Sequence, residues 1–136
     1  MNADVTQMNA DFRREGLNRI SHIVIGSAQT VGTRLGFGFL EKVYENALSH
    51  EIRKRGLQVE QQRPVHVYYD EQIVGDYIPD LMVEERVIVE IKAVYGLERI
   101  HRQQCLNYLR ATDRRLCLLL NFGQPRLEVA RIVWHL

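Results

Sequence analysis

Residues 77–93 read Tyr-Ile-Pro-Asp-Leu-Met-Val-Glu-Glu-Arg-Val-Ile-Val-Glu-Ile-Lys-Ala and put charge where buried strands should run. Within Val87-Ile88-Val89-Glu90-Ile91-Lys92, the period-two alternation of a strand sends Glu90 and Lys92 to one face and Val89 and Ile91 to the other. Asp80 follows Pro79 directly. A carboxylate moved into apolar surroundings costs several kcal/mol, roughly, unless it is paired, hydrated or bound to metal. Two acids and an ammonium converging near a sheet surface therefore suggest a divalent-cation site. The plainer reading is a surface salt bridge from Lys92 to Glu90 or Asp80 that ties neighbouring strands together and is worth little.

Outward from this stretch the periodicity changes twice. Towards the N-terminus, Phe12, Leu17, Ile20, Ile23, Val24, Ala28 and Val31 recur at helical intervals over about residues 11–33, with Gly32 and Gly36 as stop signals. Phe39, Leu40, Val43, Tyr44, Ala47, Leu48 and Ile52 predict a second helix from about Gly38 to Arg55, capped by Gly56. Val59 to Tyr69, Ile73 to Val83 and Val87 to Ala93 read as a meander of three strands with turns at 70–72 and 84–86. Helical spacing returns over residues 97–111. Two further strands follow, at Leu116–Phe122 and Leu127–Trp134, separated by Gly123-Gln124-Pro125. A meander, a crossover helix and another strand give a mixed sheet covered by helices.

The 136 residues fit one domain, 1–136, with residues 1–9 expected as a disordered tail. A hydrophobic content of 46% and a charged content of 26% suit a soluble globular chain. The net charge of +1 argues against a wide basic surface that coats nucleic acid, while leaving room for a local grip on a few phosphates. Cys105 and Cys117 have no CxxC spacing and read as reduced structural thiols. No signal core or membrane-length apolar run is present, so a cytoplasmic protein without membrane contact is expected. Neither a Gly-rich phosphate loop, a Ser/His/Asp set nor zinc-finger spacing occurs, which leaves P-loop hydrolysis and acyl transfer unsupported.

The pattern Pro79-Asp80, nine residues, Glu90-x-Lys92 resembles the signature of the PD-(D/E)XK nuclease superfamily. Gly38-Phe39-Leu40-Glu41-Lys42-Val43-Tyr44 resembles the motif of the GxxExxY proteins placed in that superfamily, as do Glu45-Asn46-Ala47-Leu48, Gly75-Asp76-Tyr77 and Leu120-Asn121-Phe122-Gly123. The resemblance implies a three-layer, restriction-endonuclease-like α/β core of order αβββαβ with a mixed central sheet, plus an extra N-terminal helix and C-terminal strand. It also implies a nuclease dependent on Mg²⁺ or Mn²⁺ that hydrolyses the phosphodiester bonds of DNA, or RNA, by a metal-activated water and leaves a 5′-phosphate. On this reading Asp80, Glu90, Glu41 and the Ile91 carbonyl would hold the ion, and Lys92 would orient the water or neutralise transition-state charge.

Gln104 and Tyr108, four apart on the later helix with His101 one turn before, resemble the Gln-x-x-x-Tyr motif of RecB-type nucleases and would orient substrate or the lysine. Each of these residues also has an ordinary reading. Glu41 can be a solvent-facing helix residue and Tyr108 a core residue with its hydroxyl satisfied. His22, His50, His66 and His135 show no ligand spacing. Arg13-Arg14 and Arg53-Lys54-Arg55 read as solvated helix faces, whereas Arg99, Arg102, Arg110, Arg114 and Arg115 surround the Gln104 helix and are candidates for phosphate contact. A catalytically silent nucleic-acid-binding module and a protein-interaction module on the same fold are the alternatives to a nuclease. A homodimer is a further expectation, since two copies could reach both strands of a duplex.

Overall fold

The computed structural model describes residues 3–136, with side chains from residue 6 onward. Helix α1 (Ala3–Leu35) and helix α2 (Glu41–Lys54) are followed by strands β1 (Val59–Gln61), β2 (Val65–Tyr69), β3 (Gln72–Tyr77), β4 (Leu81–Val83) and β5 (Val87–Lys92). Helix α3 (Arg99–Thr112) then leads to β6 (Leu116–Asn121) and β7 (Glu128–Val133). The main sheet has the order β1-β4-β5-β6-β7. Only β5 and β6 pair in parallel, as a crossover through α3 requires.

The sheet is covered on both faces, which is the restriction-endonuclease-like α/β arrangement. Leu17, Ile20, Val24, Ala28 and Val31 of α1 and Tyr44, Leu48 and Ile52 of α2 form stripes that bury against Val87, Val89, Ile91, Leu116, Leu118 and Leu120. On the other face Cys105 and Leu109 of α3 meet Ile88, Cys117, Leu119 and Ala130. Successive strand residues thus serve opposite layers, and β6 is buried throughout.

Three sequence expectations need correction. Of the tail expected to be disordered over residues 1–9, residues 3–9 are helical, because this stretch holds no glycine or proline to stop α1, and residues 1 and 2 lie outside the described residues. Phe12, assigned to the apolar stripe, is 80% exposed, since this part of α1 lies outside the core it packs on. The three-strand meander is also interrupted: β2 and β3 form a separate two-stranded sheet.

That interruption is a bend in one long hairpin. Gln61 faces Leu81 in the main sheet and Val65 faces Tyr77 in the small one, so both sides skip the same three positions and the register is kept. The skipped residues include Pro64 and Pro79, which have no N–H to give a ladder, and Gln62 with φ of 55°. Asp80 lies in the bend. The hairpin ends at Asp70-Glu71, both left-handed, and Glu84-Glu85 make the same kind of turn between β4 and β5.

Candidate active site

The bend brings Asp80 alongside the C-terminal half of β5. Pairing of β4 with β5 stops at Leu81 and Val89, so the next residues of β5 are free to meet side chains. The Ile91 N–H donates to Asp80 Oδ2 at 2.8 Å, and the Asp80 N–H lies 3.4 Å from Glu90 Oε1. Each carboxylate therefore leans on main chain at the other residue, Asp80 on β5 and Glu90 on the bend. The Tyr77 hydroxyl also donates to Glu90 Oε1.

The α3 side of the site is aromatic. Tyr77 and Tyr108 stack with ring centroids 3.6 Å apart. Burial, followed by the charge of Glu90, pushes the Tyr77 hydroxyl well above the ordinary tyrosine range, so it stays a donor. Tyr108 is raised as well, by burial first and then by Glu90, with Lys92 opposing. Lys92 is half-buried, and among the described residues no ion pair joins it to Asp80 or Glu90. The interstrand salt bridge is thus absent. Its charge still acts on the Glu90 carboxyl through space.

Helix α2 supplies two acids. Glu41, exposed at the first turn, reaches the residue just after β5 through a 3.4 Å contact from the Ala93 N–H to its Oε1. Tyr44 faces the interior: it is fully buried, stacks on Phe122 at 4.6 Å and donates to the Gly36 carbonyl at 2.7 Å. Within Gly38-x-x-Glu41-x-x-Tyr44, the glycine takes a φ of 110° that a side chain would resist, the tyrosine anchors the helix and the glutamate is left facing the site.

Glu45, four residues on, is only 4% exposed and was not expected in the site. Lys42 Nζ and Gln61 Nε2 donate to its Oε2 at 2.8 and 2.7 Å, and Gln62 Nε2 donates to Oε1 at 2.8 Å. The same Gln62 amide lies 3.3 Å from Asp80 Oδ1, while the Gln62 N–H donates to the Asp80 carbonyl at 3.1 Å. Gln62 therefore clamps Asp80 to Glu45. The i,i+4 spacing from Glu41 to Glu45 was the one sequence signal for this acid; nothing local marked Gln62. Gln104 is exposed one turn before Tyr108 and makes no hydrogen bond to the carboxylates among the described residues.

Crowding of acids changes their titration. Asp80 is raised by burial first, and by Glu45 and Glu41, against the lowering effect of the Ile91 N–H and the Gln62 amide. Burial, followed by the charge of Asp80, pushes Glu90 up to about 7 from 4.5. No ready-made set of three or more His, Cys, Asp or Glu side chains gathers to hold a metal ion among the described residues. The donors do suit a hard divalent cation, because they are oxygens and, among the described residues, no ammonium or guanidinium pairs with Asp80, Glu90 or Glu41, Lys42 being engaged with Glu45.

The raised Glu90 has a measurable consequence without metal. Between about pH 4.5 and 7 the folded chain holds a proton there that the unfolded chain has released, so stability falls as pH rises through that window. Glu90→Gln should remove this loss. In EDTA the variant is expected to be about 1–3 kcal/mol more stable than wild type at pH 8 and close to it at pH 4.5. Urea denaturation at both pH values reads the difference, and parallel pH profiles would contradict it.

A family profile of the PD-(D/E)XK nuclease superfamily matches residues 18–132. The chain belongs to that superfamily, and its domain is of the nuclease type. Searches of curated proteins and of solved structures find no match. Among the described residues, no helix is long and apolar enough to cross a membrane.

Proposed function

We propose that the protein is a divalent-metal-dependent phosphodiesterase of the GxxExxY kind that cuts DNA. The observation that carries this reading is the Asp80–Glu90 arrangement: two carboxylates, Asp80 hydrogen-bonded to β5 and Glu90 to the bend, raised by burial and, among the described residues, without a cationic side chain bound to them. Such an arrangement is unfavourable as architecture and useful as a cation seat. Asp80, Glu90 and the Ile91 carbonyl would hold Mg²⁺ or Mn²⁺, with Glu41 reaching it directly or through water. When bound, such an ion would supply positive charge at the scissile phosphate and lower the pKa of a water molecule.

The remaining residues divide the work of positioning. Lys92, without an ion pair among the described residues, would offer its ammonium to the charge that develops on the phosphate. Tyr77 holds Glu90 Oε1, and Tyr108, stacked on Tyr77, keeps that hydroxyl in place and would orient substrate or Lys92. Gln104, exposed on the same helix face, contributes a neutral amide for substrate contact. Gln62 and Glu45 fix Asp80 from behind. The two buried, free thiols of Cys105 and Cys117 fit a reducing, cytoplasmic setting.

The test is cleavage of labelled single-stranded, duplex and branched DNA and of RNA in Mg²⁺, Mn²⁺ or EDTA, with Lys92→Ala alongside wild type. Cutting that needs the metal and falls about 10²-fold or more in the variant is the expected result. Cutting equal in EDTA, or unaffected by Lys92→Ala, would overturn the mechanism. Salt-sensitive binding without cutting would instead assign the chain to a silent nucleic-acid-binding role.

A further inference from the structure

A second cluster of charge lies at the other end of the sheet. Arg86 immediately precedes β5, and Arg114 and Arg115 immediately precede β6; because β5 and β6 are parallel, all three stand at the same end. Arg13 of α1 joins them, and together with Leu17 they line a cavity of about 510 Å³. At roughly 3.3 Å per residue, Glu90 is about 13 Å along β5 from Arg86, so one phosphate cannot touch both sites.

The acids at this cavity are already engaged. Glu85 pairs with Arg63, and Asp113 accepts from Arg115 at 2.8 Å, while Arg115 also lies over the Trp134 ring at 5.4 Å. Arg13, Arg86 and Arg114 have no carboxylate within ion-pair distance among the described residues. Among the described residues Arg86 donates only to the Arg13 carbonyl at 3.3 Å, and Arg114 Nη1 to the Thr112 carbonyl at 3.1 Å. Arg114 Nε is buried and makes no hydrogen bond among the described residues. Arg13, Arg86 and Arg114 line the cavity with guanidinium N–H donors, and an anion there would accept from them.

Helix α1 is shaped for the arrangement. Gly16 sits in mid-helix, where glycine weakens a helix relative to alanine. A Cβ there would come within 2.7 Å of Arg86 Nη1 and 3.2 Å of Nη2. The missing side chain lets the guanidinium lie against the helix beside Arg13.

We infer that the cavity bounded by Arg13, Arg86 and Arg114 is a phosphate-binding site separate from the carboxylate centre. Planar guanidinium groups from three elements match the oxygens of a phosphate better than a carboxylate, and the cavity is the size of a small ligand. The phosphate belongs either to the end of a nucleic-acid strand or to a free small anion.

The experiment titrates inorganic phosphate, adenosine monophosphate, and a short oligothymidylate with and without a 5′-phosphate by calorimetry in EDTA, where the carboxylate centre holds no metal. Wild type is expected to bind phosphate with an affinity that falls at least about tenfold in the double variant Arg13→Gln, Arg86→Gln. Gly16→Ala keeps every arginine and favours the helix, yet should weaken binding several-fold by displacing Arg86. Preference for the 5′-phosphorylated oligothymidylate over its 5′-hydroxyl form identifies a strand end as the source, and equal affinity for inorganic phosphate and adenosine monophosphate identifies a free anion. No phosphate binding by wild type, or binding unchanged in both variants, overturns the site. The readout needs no cleavage, so it stands apart from the nuclease assay.

Discussion

Asp80→Asn is expected to lower metal-dependent cleavage about 10³-fold or more while leaving the protein at least as stable as wild type in EDTA. The two halves of that result have one cause. Asp80 is raised by burial and by neighbouring acids, so its charge opposes folding, and removing the charge relieves Glu45, Glu41 and Glu90 at once. Asparagine can still accept the Ile91 N–H through its carbonyl oxygen, losing only the longer Gln62 contact. Calorimetric titration with Mg²⁺ and Mn²⁺ should show ion binding lost in Asp80→Asn and in Glu90→Ala. Ion affinity equal to wild type in both variants would refute the assignment, and a destabilised Asp80→Asn would show that the carboxylate is structural.

The largest loss of stability should come from Asn121→Ala, at about 3–5 kcal/mol. Asn121 is wholly buried and uses its whole amide: Oδ1 accepts from the Val94 and Gly123 N–H groups at 3.0 Å, and Nδ2 donates to the Val94 carbonyl at 3.0 Å and to Glu128 Oε1 at 3.1 Å. Truncation leaves the Val94 and Gly123 main-chain groups without these partners and strips Glu128 Oε1 of one of its two donors, the other being the Leu97 N–H at 3.0 Å, which costs more than the bonds themselves contribute. A loss of this size is a large part of the roughly 5–15 kcal/mol that holds a domain together. Asn121→Asp keeps the shape but sets a carboxylate against the Val94 carbonyl and Glu128, so it should also be severe. Urea unfolding distinguishes the cases: a mild Asn121→Asp would mean that volume, and not hydrogen bonding, matters at this position. Asn121 lies opposite Lys92, whose carbonyl accepts from the Phe122 N–H at 2.8 Å, so cleavage should fall with stability.

Much of this was legible in residues 77–93. Period-two alternation told correctly that Glu90 and Lys92 leave the face occupied by Val89 and Ile91, because that face is a packed core and a one-residue slip would bury charge. Helices α1 and α2 were legible for the same reason, since their stripes bury. The bend in the first hairpin was not. Pro64 and Pro79 each announce a break, but only pairing across the hairpin reveals that the breaks are opposite and keep register. Glu45 was hidden by composition: a glutamate near Lys42 reads as a solvated pair, and its burial depends on Gln61 and Gln62, which are distant in sequence. The Tyr77–Tyr108 stack likewise joins two elements that no local pattern relates.

The parallel pairing of β5 with β6 also sets an order of events during synthesis. A chain growing from its N-terminus has Asp80, Glu90 and Lys92 long before residues 116–121 are added, yet until then β5 lacks the neighbour that fixes its far end. The acids and the lysine are present as an open edge without a settled geometry. Competence therefore arrives late, after α3 has crossed over and β6 has docked, and an unfinished chain carries the chemical groups of the site without its reach.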